Sequence, residues 1–117
     1  MVPRVATLTK ALGAIAKAQQ AEAVVILRQR KAARERAQSL ERLANAFRAA
    51  SVLIEEPLVR KQFELHATQS EREAHAAFLQ ARVHDAEAKR AQMQARTTLE
   101  RAATNKARER SRRARDF

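Results

Sequence analysis

Val52-Leu53-Ile54-Glu55-Glu56-Pro57-Leu58-Val59 is the stretch that decides the fold, because it breaks an otherwise helix-forming chain near its midpoint. A proline pushes the residue before it out of the α region, yet it suits the first turn of a new helix, where its missing N–H has no partner to lose. The chain is therefore expected to turn at about residues 52–57. One helix should run from about residue 4 to 51, and a second from Pro57 to about residue 112, followed by a basic C-terminal end. Glu55 and Glu56 would then stand at the positive end of the second helix dipole. Pro3 suits the opening turn of the first helix. Gly13 is the one break signal inside it, and its cost of about 1 kcal/mol against Ala is absorbed in a helix this long.

Outward from the turn, apolar spacing follows a heptad on both sides. In the first half, Val5, Leu12, Gln19, Ile26, Ala33, Leu40, Phe47 and Ile54 recur every seven residues and only Gln19 is polar, which is a coiled-coil seam. Its companion is taken as the column three residues on, Leu8, Ile15, Glu22, Gln29, Arg36, Leu43 and Ala50. That column is polar in the middle, so the first helix should grip near its ends and more loosely from Glu22 to Arg36. In the second half, Ala67, Ala74, Ala81, Ala88, Ala95 and Ala102 form an unbroken alanine column, with Phe63, Ala77, Phe78, Ala91 and Leu99 beside it. A further stripe, Leu58, Leu65, Leu79, Ala86, Met93 and Ala107, is interrupted by Arg72 and Glu100. It reads first as supercoil drift with ordinary packing, and second as a face for a partner. The expected architecture is all-α, a long antiparallel two-helix coiled-coil hairpin forming a single domain over residues 1–117. At about 1.5 Å rise per residue, each arm would be roughly 75–85 Å long.

Composition agrees with a helical rod and excludes several classes. Of 117 residues 27 are alanine, while there are four Phe, no Trp or Tyr, one Gly and two Pro. Such a chain has strong helix propensity but little with which to build a large core or many turns. Without cysteine there is neither a disulfide framework nor thiolate chemistry, which fits a reducing, cytoplasmic setting. The longest apolar run, Ala23–Leu27, is far below the roughly 20 residues of a membrane span, and no signal peptide is recognised. The net charge of +11 arises from 24 Lys and Arg against 13 Asp and Glu, an excess that favours partners with acidic faces.

Catalytic and metal chemistry find no footing. His66, His75 and His84 are nine residues apart, so successive ones project from opposite sides of a helix and cannot share an ion. No glycine loop to cradle phosphate and no Cys nucleophile exists, and acids such as Glu71, Glu73, Asp85 and Glu87 have the spacing of solvated helix pairs. A non-enzymatic protein without cofactors is expected. The basic run from Lys106 to Arg115 has three readings: a solvated helix end suited to the dipole, a contact for an acidic protein, or a nucleic-acid or lipid contact. Nucleic acid is the least favoured, because no Asn stands among the arginines to read bases. The apolar residues at the turn, Val52, Leu53, Ile54, Leu58 and Val59, read either as a cap on the seam, the preferred reading, or as a binding knob.

The opening stretch of Leu8, Leu12, Ile15, Gln20 and Glu22 to Leu27, the return helix from Gln62 and Glu64 to Glu73, and the closing Leu99-Glu100-Arg101 to Arg115-Asp116-Phe117 together resemble the FliJ-like stalk proteins of flagellar and virulence type III export ATPases. The resemblance spans the whole chain as pattern and composition. It implies a cytoplasmic hairpin, peripheral at the inner face of a secretion apparatus, that enters a hexameric export ATPase and touches the export gate or chaperones. Arg101, Arg108, Arg110, Arg112 and Arg113 would face acids of the ring, and Leu53 and Leu58 would stand at the tip as contacts for the gate. Such a stalk should be monomeric alone. The rival expectation is a self-associating structural adaptor, a homodimer burying Leu65 and Met93; a basic nucleic-acid-binding helix comes third.

Overall fold

The computed structural model describes the backbone of Pro3–Arg115 and the side chains of residues 7–115. Val5, Asp116 and Phe117 therefore contribute nothing to the description of side chains. Two helices account for the described chain, α1 from Pro3 to Leu53 and α2 from Pro57 to Arg115, with no strand among the described residues. The protein is an all-α helical hairpin. Helical propensity carries both helices a little beyond the expected bounds, to Leu53 and to Arg115, because neither Val52-Leu53 nor Arg113-Ala-Arg115 contains a breaker.

The reversal takes only Ile54, Glu55 and Glu56, within the two-to-five-residue range of αα-hairpins. It is made without a left-handed residue, since no described residue has positive φ. The usual glycine cap is replaced by side chains. Ser51 Oγ donates to the Arg48 carbonyl at 2.7 Å, and Arg60 Nε donates to the Ile54 carbonyl at 2.8 Å, placing a cation on the carbonyl end of α1. Across the turn, the Arg60 amide donates to the Glu56 carbonyl at 2.9 Å, which makes Glu56 the residue that opens α2.

The chain divides into two compact units along these helices: Leu27–Asp85, which holds the turn, and Met1–Ile26 with Ala86–Phe117. In the first unit, Arg30 bonds Asp85 and Arg48 bonds Glu71, so residues later in α1 meet residues earlier in α2 and the helices run antiparallel. Beside the turn, Phe47 meets Phe63 edge-on at 5.8 Å and stacks on His66 at 5.3 Å. Apart from this aromatic cluster, the unit's seam is small: Ala33, Ala37 and Ala44 of α1, and Ala67, Ser70, Ala74, Ala77 and Ala81 of α2, are buried. In the other unit the buried residues are Ala16, Ala23 and Ile26 with Ala88, Ala91, Ala95 and Thr98. Gln19, the polar member of its column, lies 2.8 Å from the Thr98 hydroxyl, which is also 2.9 Å from the Gln94 carbonyl. One hydroxyl proton cannot serve both acceptors. With the Gln19 amide turned so that its NH2 donates to Thr98, the threonine donates to the Gln94 carbonyl and every group is satisfied.

The seam differs from expectation on α1. The column of Leu12, Gln19, Ile26, Ala33, Leu40, Phe47 and Ile54 faces inward as anticipated, buried or half-buried throughout. Its companion, however, lies four residues on: Ala16, Ala23, Arg30, Ala37, Ala44 and Ser51. The column three residues on faces out, with Leu8, Ile15 and Leu43 each nearly half exposed and Glu22, Gln29 and Arg36 exposed. The expected loosening between Glu22 and Arg36 falls with it, because Ala23, Ile26 and Ala33 are buried there. Alanine is the physical reason. Small side chains permit helix axes to approach toward the lower end of the usual range of about 8–10 Å, and a leucine column in the same place would hold them apart.

Candidate functional site

In the described residues, no group of three or more His, Asp or Glu is arranged to hold a metal ion, and no helix is long and apolar enough to cross a membrane. His66 is exposed and stacked on Phe47, His75 is exposed, and His84 is half-buried. Depressions on the surface are shallow and open. The features with recognition chemistry are therefore surfaces, and there are three.

The first is the cationic end. Arg101, Arg108, Arg110, Arg112 and Arg113 are all exposed on α2. They do not form one patch. Helical spacing puts Arg108 and Arg112 within roughly 20° of Arg101 about the axis, whereas Arg110 and Arg113 project roughly 120–180° away. Arg113 is further engaged by Glu109, one turn earlier, at 2.9 Å. Arg101 and Arg108 line an open groove with Leu8 and Leu12 of α1, floored by Thr104 and Asn105 and flanked by Glu100. This combination of two guanidinium groups beside exposed leucine is suited to an acidic, partly apolar protein surface.

The second is the turn. The apolar residues there divide between the two readings given to them. Ile54 and Val59 are half-buried and close the end of the seam, while Val52, Leu53 and Leu58 stand in solvent, Leu53 and Leu58 being 83% and 73% exposed. Leu53 and Leu58 are thus not part of a cap, and the preferred cap reading holds only for their neighbours.

The third is the outer face of α2. Leu58, Leu65, Leu79 and Met93 of the second stripe are exposed large apolar residues. The stripe lies on the side of α2 away from the alanine column, so the drift-and-packing reading of it is overturned: none of the described residues buries it. Of the residues expected beside the alanine column, Ala77 and Ala91 are buried and Phe63 is half-buried, whereas Phe78 and Leu99 are 36% and 45% exposed; Ser70 and Thr98, not among those expected there, are buried.

Two polar contacts escaped sequence reasoning. Arg30 Nη1 reaches Asp85 Oδ1 at 2.6 Å, with both side chains about 30% exposed, and Arg48 reaches Glu71 at 2.7 Å near the turn. The hydrogen bond from Arg48 holds the Glu71 carboxyl below the ordinary glutamate range and raises the Arg48 guanidinium above its own. A signal for these pairs exists only once register is known, because Arg and Glu at these spacings look the same whether they bridge helices or face water.

Comparison with protein-family models, curated proteins and solved structures gave no match to this chain.

Proposed function

We propose that the protein is a non-enzymatic stalk or adaptor of a type III protein export apparatus, inserting into and promoting a hexameric export ATPase. The observation that carries the proposal is the cationic groove: Arg101 and Arg108 stand beside Leu8 and Leu12 in one groove between α1 and α2. Two helices presented together offer a ring of subunits an asymmetric set of contacts, and guanidinium groups on their outside suit carboxylates lining a pore. Arg112 extends that face; Arg110 and Arg113 would meet other subunits round the ring. The exposed Leu53 and Leu58, at the turn, are the residues assigned to an export gate or chaperone.

A second reading is favoured by the exposed stripe on α2, which suits a coiled-coil adaptor whose business is pairing with other helices and not stimulating an ATPase.

Light scattering during size-exclusion chromatography separates them. A monomer that co-elutes with the export ATPase and raises its hydrolysis rate supports the stalk, and Arg101→Glu with Arg108→Glu should abolish both effects while leaving the far-UV circular dichroism unchanged. A stable homodimer indifferent to the ATPase sinks the stalk reading.

A further inference from the structure

Within the unit Leu27–Asp85, the outer face of α2 has a composition that the seam does not require. Leu58, Leu65, Leu79 and Val83 are 73%, 60%, 47% and 54% exposed. They recur at spacings of seven, fourteen and four residues, so they lie in one narrow band along the helix, about opposite the buried Ala67 and Ala74. Lys61, Arg72 and Arg82 stand exposed in and beside this band. Lys61 and Arg72 lie within the band itself, whereas Glu64, Glu71 and Glu73 project roughly 80–120° round the axis from Leu65, as does Arg82 at about 100°. Glu71 is moreover held by Arg48 and Glu73 faces Gln69. The face is a heptad band of apolar residues in which Gln62, Gln69, Ala76 and Gln80 are exposed neutral neighbours and the charged members are the cations Lys61 and Arg72.

We propose that this face docks an amphipathic helix of a partner protein, one whose apolar stripe is bordered by Asp or Glu. The seven-residue period matches a helix laid along it in coiled-coil fashion, each leucine entering between side chains of the partner. Charge selects the occupant. A second copy of this chain laid in register is disfavoured in either direction: a parallel copy sets Arg72 against Arg72, and an antiparallel copy centred on Arg72 does the same and brings Lys61 within one residue of Arg82. An acidic helix meets each of these cations with a carboxylate. A lipid surface is the weaker fit, since Arg72 interrupts the band at its middle, where acyl chains would receive it, while a partner carboxylate can meet a guanidinium there. The proposal does not depend on the export-ATPase reading, because none of Arg101, Arg108, Arg110, Arg112 and Arg113 belongs to this face.

The test uses the full chain and two synthetic four-heptad helices with identical leucine seams, one bordered by Glu and its twin bordered by Lys, with binding followed by fluorescence anisotropy at physiological salt. The expected result is binding of the Glu helix alone, weakened about tenfold by Leu79→Ser and by Arg72→Glu. The control Lys10→Glu with Lys17→Glu, which removes twice as much positive charge as Arg72→Glu, should leave it within about twofold. Because Leu79 is outside the seam, Leu79→Ser should melt as the parent does, which makes its loss of binding readable as loss of contact. The proposal is overturned if the control pair weakens binding as much as Arg72→Glu, which would be attraction to net charge alone. Equal binding of the Lys twin overturns it too. So does a homodimer that Leu79→Ser dissociates, or tighter binding to phosphatidylglycerol vesicles that the same substitution abolishes.

Discussion

Replacing Ala37 by leucine should weaken the hairpin although it adds apolar surface to a buried position. Ala37 is 0% exposed, in the α1 column that also buries Ala23 and Ala44. Three more carbons at a site with room would contribute about 0.8 kcal/mol each, roughly 2.4 kcal/mol in favour of folding. A seam closed on alanine has no such room, and forcing the carbons in must part the helices or drive side chains off their rotamers, at a net cost of about 1–3 kcal/mol. With a urea m-value of about 2 kcal/mol/M, the midpoint followed by circular dichroism should fall by roughly 0.5–1.5 M. Ala46→Leu, on an exposed position of the same helix, is the control and should move stability by less than about 0.5 kcal/mol. A midpoint that rises for Ala37→Leu would show that the seam has slack, and the argument that alanine sets the helix separation would be wrong.

Gly13→Ala should raise stability by about 0.4–1 kcal/mol, since a Cβ at Gly13 meets nothing within 4 Å and the residue is helical; an unchanged or lowered urea midpoint would contradict this. Glu71→Gln should cost stability at neutral pH and cost nothing in acid. The Glu71 carboxyl is lowered in the folded state by its hydrogen bond to Arg48, so its contribution is present above the ordinary glutamate pKa and is lost as pH falls through the depressed folded value. Urea midpoints of parent and variant at neutral pH and at about pH 3 should therefore converge in acid; the pair is exposed, so the neutral-pH difference should be small and should shrink in high salt.

Much of the hairpin was legible, and what was not has a common cause. Proline before a helix-forming run located the turn, and the alanine column of α2 named its inward face without help from structure. On α1 the eye is drawn to the larger apolar residues, and Leu8, Ile15 and Leu43 three residues on from the seam outweigh Ala16, Ala23, Ala37 and Ala44 four residues on. Hydrophobicity ranks leucine above alanine; a closely approached helix pair ranks size first. The same bias placed Phe78 and Leu99 inside and left Ser70 and Thr98 out. Of the candidate arginines, spacing alone already separates Arg101, Arg108 and Arg112 from Arg110 and Arg113, so that distinction needed only the helix to be continuous to Arg115.

An alanine seam also accounts for the surface the protein presents. Each buried alanine withdraws little more than a methyl group from water, so the seam contributes far less per residue than one of leucine, and the order of about 1–2 kcal/mol of backbone entropy lost per residue is offset only narrowly. The larger apolar side chains of the same helices, among them Leu53, Leu58, Leu65, Leu79 and Met93, stand in solvent and not in the seam. A ligand that binds only the folded form adds RT ln(1 + [L]/Kd) to its stability, about 2.7 kcal/mol at a hundredfold excess over Kd, and that gain is a larger share of the total where the seam itself contributes little. Folding and recognition are thereby linked: a helix that covered these leucines would stabilise a pair of helices closed on small residues.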